Sequence, residues 1–255
     1  MLLKKHVCSR TLLMFLTGLG AQALHADSYM SNFTDVPGSR PHVVIQAGGF
    51  IINKAQSQHI NINGLIGDHF SADSSSDGNG LLGLGLFFNG AEGERVNFTY
   101  GINAFYLGKT YVSGTVTAEA QPAPVWRYKH TQTSYPIYFD AKLDIGNKNN
   151  ERYGFTMDFG LGPNIMVTGN VIQQSLDNGF TNSERNFLGQ TNIVFSGMAG
   201  VGFRISEVFG QAPLECGYRF FYLGKGDFSK TTNQLLTQFK TGTTYANALL
   251  CSVTI

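Results

Sequence analysis

His130-Thr131-Gln132-Thr133-Ser134 sets an imidazole and a hydroxyl four residues apart, which on a strand puts both on one face and leaves an esterase-like pair open by geometry. The plainer reading is a solvated histidine where a strand meets an outer loop. His42, His59 and His69 have no metal-ligand spacing with it or with one another. Asp73-Ser74-Ser75-Ser76-Asp77-Gly78-Asn79-Gly80 resembles a cation loop only in its acids; it lacks the closing bidentate glutamate and reads as a mobile polar loop. Cys216 and Cys251 lie at equal distances from the middle of the loop between them. A symmetric hairpin would oppose them closely enough for a disulfide in an oxidising compartment, while two small apolar residues are the alternative. No catalytic, cofactor-binding or metal set is expected.

The remaining chemistry is charge on the polar faces of alternating segments. Tyr135, Ile137, Phe139, Ala141, Leu143 and Ile145 oppose Tyr138, Asp140, Lys142 and Asp144; farther on, Tyr153, Phe155, Met157, Phe159 and Leu161 oppose Arg152, Thr156 and Asp158. Leu214, Cys216, Tyr218, Phe220 and Tyr222 likewise oppose Glu215 and Arg219, and Arg204 ends another such segment. Asp140, Lys142, Asp144, Arg152, Asp158, Arg204, Glu215 and Arg219 are therefore expected to form one interior ion-pair network, because desolvated charges must be paired. Asp144 is expected to meet Arg152, and Arg204 to meet Glu215, across tight turns. A proton or ion path is the functional alternative.

Eight such segments are needed to hold these faces together: 42–53, 81–89, 95–107, 134–145, 152–161, 190–205, 214–223 and 243–255. Several match the roughly 9–11 residues of a tilted membrane strand. Short turns at 89–94, 146–151 and 206–212 alternate with long polar segments at 54–80, 108–133, 162–189 and 224–242. Apolar-out alternation with that rhythm predicts an all-β, eight-stranded antiparallel up-and-down transmembrane β-barrel, with its long loops outside the cell. Glycines in Gly83-Leu84-Gly85 and Gly200-Val201-Gly202 fall on the inward face, as a narrow packed lumen requires. They lack the following helix and lysine of a nucleotide loop.

Composition agrees. The chain has 255 residues, 14% charged and 13% aromatic, with 31 glycines. Residues 1–26 carry a basic start at Lys4, Lys5 and Arg10, an apolar stretch and small residues at Ala21, Ala23 and Ala26, which describes a secretory signal peptide. Residues 27–41 then form a periplasmic segment and 42–255 the barrel. Removing the three leader cations takes the formal charge from +1 to −2, which recommends no nucleic-acid partner.

Leu214-Glu215-Cys216-Gly217-Tyr218-Arg219-Phe220-Phe221-Tyr222-Leu223-Gly224, taken with the leader and the final alternating run, resembles the Gly-Tyr-Arg-aromatic strand of the opacity-type outer-membrane β-barrels, related in fold to OmpA and OmpX. Phe105-Tyr106-Leu107-Gly108-Lys109 echoes Phe221-Tyr222-Leu223-Gly224-Lys225 and places a Tyr and then a Lys at the outer rim of two strands. Such barrels usually end in Phe, where this chain has Ile255. The resemblance implies a bacterial outer-membrane surface antigen or adhesin, not an enzyme, without cofactors. Its partners would be outer-membrane lipid and lipopolysaccharide, the barrel assembly machinery with periplasmic chaperones, and an extracellular ligand of the loops. A small-solute porin is the alternative. A lipid A-modifying barrel enzyme is the third reading, but lipid A deacylases that resemble this chain place a Ser two residues after the His, and Gln132 stands there.

Overall fold

The computed structural model describes residues 41–53, 56–64, 67–73, 76–93, 95–118, 121–147, 150–176, 186–209 and 212–255. The leader and the segment up to residue 40 lie outside them, and Pro41 already belongs to the first strand. Strands β1 (Pro41–Asn53), β2 (Gln58–Ile60), β3 (Asp68–Ala72), β4 (Ser76–Glu92) and β5 (Val96–Thr117) come first. Next are β6 (Trp126–Asn147), β7 (Asn150–Thr168), β8 (Ile172–Ser175) and β9 (Phe187–Leu188). The last four are β10 (Thr191–Phe209), β11 (Ala212–Gly224), β12 (Ser229–Lys230) and β13 (Thr244–Thr254).

Eight of these close on themselves. The order is β1, β4, β5, β6, β7, β10, β11, β13 and back to β1, and every neighbouring pair is antiparallel. The fold is thus the all-β, eight-stranded barrel that the alternation predicts. Closure matters physically because a closed sheet has no unpaired edge.

Period two sorts the side chains. Outward positions hold large apolar residues fully displayed, among them Phe139 at 75%, Ile193 at 76%, Phe195 at 65% and Leu249 at 71% exposure. Aromatic pairs rim this surface at two heights. Phe88, Phe98, Tyr100, Tyr153 and Phe203 stack near the short turns; Tyr106 with Tyr135 and Tyr222 with Tyr245 form tilted pairs near the long connections. From Tyr135 to Ile145 along one tilted strand the band is about 25 Å tall, the height of a membrane barrel's lipid-facing belt.

The long connections differ from the polar loops expected of them. β5 and β6 run well past the ring and pair with β3 and β8 above it, so much of 108–133 is strand. The cause is local. A register shift between Leu107 and Thr110 marks a bulge at Gly108, which lets β5 continue where a glycine suggests an end. Asn79 supports the bulge by donating from Nδ2 to the Lys109 carbonyl at 2.7 Å. The expected mobile loop at 73–80 is largely strand too, since Ser76–Gly80 belongs to β4, where Asp77 accepts the Tyr111 N–H at 2.6 Å.

Two apolar cores result. One fills the lumen above its charged end, with Phe50, Ile52, Leu81, Phe105, Tyr138, Met198 and Phe221 among its members. The other lies between the long connections, where Ile60, Phe70, Val116, Tyr128, Val171, Phe187, Phe228, Leu235 and Phe239 are buried together.

Candidate functional site

The lower lumen is filled with hydrogen-bonded and ion-paired polar groups. Arg219 on β11 donates from Nε to Asp158 Oδ2 on β7 at 2.6 Å, donates again to Gln46 on β1, and lies 3.8 Å from Glu215. Gln46 Nε2 donates to Asn103 Oδ1 at 2.7 Å, and Asn103 Nδ2 donates to Asp140 Oδ2 at 3.0 Å. Lys142 is ion-paired with Glu215, and Arg204 reaches Asp144 at 3.3 Å. Seven of the eight expected charges thus lie in close contacts with one another or with Gln46 and Asn103.

The partners are not those expected across the turns. Arg204 and Glu215 are opposed in the ladder, yet Glu215 turns to Lys142 and Arg219 while Arg204 reaches Asp144. Arg152 was expected at Asp144, but the β6/β7 hairpin shifts register between Gly146 and Asn147, and Asp144 stands opposite Thr156. Arg152 is exposed at the turn end. Gln46 and Asn103, which carry the cluster across β1 and β5, were absent from the expected set. Their signal was present: Gln46 is the one polar side chain among inward Val44, Gln46, Phe50 and Ile52.

Above this cluster the lumen turns apolar and shut. Phe105, Tyr138 and Phe221 contact one another with ring centroids 5.3 to 6.3 Å apart and are 3%, 0% and 0% exposed. Tyr138 Oη and Ser196 Oγ share a hydrogen bond of 2.6 Å, and Ser196 donates to the Tyr222 carbonyl at 2.6 Å. Glycines make room for both tiers, Gly83 for the plug and Gly200 for the charged cluster. A Cβ on Gly83 would stand 2.7 Å from Phe105 Cδ1, and one on Gly200 would stand 2.8 Å from Arg219 Cγ. An ion crossing this tier would lose its water with nothing to replace it.

His130 is not a solvated loop-base residue. β6 begins at Trp126, so His130 is a mid-strand inward position, 3% exposed, with the Phe228 ring 4.9 Å and the Phe239 ring 5.9 Å away. Ser134 shares its face and is 2% exposed. A nucleophile must be reached by its substrate, and this hydroxyl lies between two packed cores. In the same cap, burial and Asp73 push the Tyr128 hydroxyl pKa above its usual range. His59 and His69 face each other across β2 and β3, and His42 Nε2 shares a 2.9 Å hydrogen bond with Asn89 Oδ1.

Cys216 and Cys251 are opposed in the β11/β13 ladder, with Cα atoms 4.0 Å apart and the sulfurs bonded. Both side chains lie on the outward side, one residue from inward Glu215 and Ser252.

Neither a family model nor a curated protein sequence matches the chain. Solved outer-membrane barrels align with it over most of their lengths at low identity. The outer membrane protein OprG from Pseudomonas aeruginosa is 12% identical, with 86% of this chain and 97% of that one covered and a TM-score of 0.46. The outer membrane protease OmpT from Escherichia coli is 9% identical, over 88% and 98%, with a TM-score of 0.41. Neisserial surface protein A is 14% identical, over 84% and 96%, with a TM-score of 0.33.

Proposed function

We propose that this chain is an integral protein of the bacterial outer membrane, exported by a cleaved signal peptide. On this reading its filled barrel is an anchor and its folded cap makes contact at the cell surface, as in surface antigens and adhesins. The observation that carries the reading is the pairing of a lumen closed by buried rings with a second core built entirely from the long connections. A porin would need a wet path, and an enzyme a reachable nucleophile or metal; the tiers at Phe105, Tyr138 and Phe221 and the burial of His130 and Ser134 favour neither. The cap surface displays Ile172, Leu176, Leu188 and Leu236 at 40–59% exposure, apolar side chains available to an extracellular ligand. Assembly machinery and periplasmic chaperones would deliver the chain, and outer-leaflet lipid would surround it.

Epitope tags test the orientation. A tag at Gln121 or Thr232 should be bound by antibody on intact cells, whereas one at Val208 should be silent until the outer membrane is permeabilised. Surface labelling at Val208 would overturn the reading. Stepwise ion conductance by the purified protein in a planar bilayer would restore the porin, and a change in lipid A mass on expression would restore the enzyme.

A further inference from the structure

The bulge at Gly108 has a chemical result on the outside of the wall. Below it, β5 turns even-numbered residues outward, Ala104 and Tyr106; above it, the odd-numbered Lys109 and Tyr111 face outward. Without the extra residue Lys109 would point into the barrel. β6 keeps one parity throughout, so Tyr135, Lys129 and Arg127 share its outward face. The ladder sets Tyr111 opposite Thr131, Ser113 opposite Lys129, and Thr115 opposite Arg127.

One sheet face therefore carries three exposed cations, Lys109, Arg127 and Lys129, interleaved with hydroxyls of Ser113, Thr115 and Thr131. The Lys129 ammonium sits 4.2 Å from the centre of the Tyr111 ring, which holds it against the sheet. Two carboxylates border the face from the β3/β4 side, and both are engaged: Asp73 accepts from Ser113 Oγ at 3.2 Å and Asp77 from the Tyr111 N–H. His69 lies farther along, opposite Thr117. Immediately below is the Tyr106–Tyr135 pair, ring centroids 5.4 Å apart, at the upper rim of the apolar belt.

Height selects the ligand. A cationic, hydroxyl-bearing face directly above an interfacial aromatic rim stands where the headgroups of the surrounding leaflet must lie. We infer that the outward face of β5 and β6 is a binding site for the phosphate groups of a phosphorylated outer-leaflet glycolipid, with Lys109, Lys129 and Arg127 as its cations. The inference rests on the membrane placement proposed above. Diffuse attraction would not need this wall in particular, and the barrel supplies a control: Lys225, also exposed, directly follows β11, the strand diametrically opposite β5 in the ring order.

The test uses the full mature chain, refolded into neutral phosphatidylcholine nanodiscs, with purified lipopolysaccharide and its enzymatically dephosphorylated form as probes. Wild type should bind the phosphorylated form and lose most of that affinity for the other. Each of Lys109→Gln, Arg127→Gln and Lys129→Gln should weaken binding about fivefold, the equivalent of about 1 kcal/mol per cation at a lipid surface. Lys225→Gln should leave binding unchanged, and Lys129→Arg should retain it. Equal loss in Lys225→Gln, an unaffected triple variant, or equal binding of the dephosphorylated probe would each overturn the site. A wild-type chain that never enters the nanodisc would overturn the membrane reading as well, which a heat-dependent gel shift of the folded barrel reads separately.

Discussion

The two interiors of this molecule are built on different principles. In the lower lumen, charges from β6, β7, β10 and β11 and the amides of β1 and β5 are brought together by the ladders of the ring. Each partner's position follows from parity and pairing, as Arg219 on Asp158 illustrates. In the cap, Phe70, Phe187, Phe228 and Phe239 come from three separate connections and meet through packing, with ring centroids 5.0 to 6.0 Å apart for the pairs in contact. Continuous ladders support the first, whereas in the second short ladders such as β3 on β5 and β9 on β12 are joined by apolar burial. Damage should spread through the first and stay local in the second.

The largest expected effect tests the lumen. Lys142→Met leaves Glu215 buried beside Arg219 but without its nearest cation, at a cost on the order of 3–5 kcal/mol in the unfolding of the whole barrel. Adding Glu215→Leu should recover much of that. If denaturant titrations of the double variant equal the sum of the singles, the pair does not act as a unit and the lumen is wetter than its packing implies.

Phe239→Ala removes the ring around which Phe70, Tyr128, His130, Phe187 and Phe228 converge. A loss of about 3 kcal/mol is expected, confined to the cap. Limited proteolysis of the connections should accelerate while the heat-dependent gel shift of the barrel stays as in wild type. Alkali should separate the regions the same way. Burial raises the Tyr128 hydroxyl pKa above its ordinary 10.0, so the cap keeps that stability below pH 10 and loses it as the pH rises further, because the unfolded phenol ionises first. Proteolysis of the cap that is no faster at pH ~11 than at pH ~9 would remove Tyr128 from the cap's stability.

A charge on the wall should matter less than a broken pair inside it. Phe139→Arg, at a site 75% exposed within the belt, should cost roughly 2–4 kcal/mol in a bilayer. In lipid-free detergent the penalty should shrink, and equal penalties in both media would remove the lipid from the explanation. Smallest of all, Lys240→Gln takes away a cap ion pair with Asp227 at 3.8 Å whose side chains are 54% and 42% exposed, worth about 0.2–1 kcal/mol at most and less in salt.

The same contrast explains what could be read in advance. Alternation in Tyr135–Ile145 and Leu214–Tyr222 places Asp140, Lys142, Glu215 and Arg219 inward with no other information. It does not say which carboxylate each cation takes. That choice depends on hairpin registers, and the shift at Gly146 and Asn147 moves Arg152 away from Asp144. The cap was illegible for a different reason. Its apolar residues follow no period, and Gly108, which reads as a strand end, is a bulge inside a strand. Sequence alone therefore sets His130 at a loop base, although it occupies the middle of an aromatic core.

The seam between β1 and β13, from Val44 opposite Thr254 to Asn53 opposite Tyr245, has a kinetic meaning. The other seven pairings join strands that follow one another around the ring, each able to form from nearby chain. The seam joins the first barrel strand to the last, so its loop-closure entropy is the largest in the molecule and its contacts are the last that can form. Until then β1 and β13 both present bare backbone edges, the feature that draws foreign strands. The chain must therefore be kept from its neighbours until residues 244–254 have been made, and closure of this one ladder is the step that ends its exposure to aggregation.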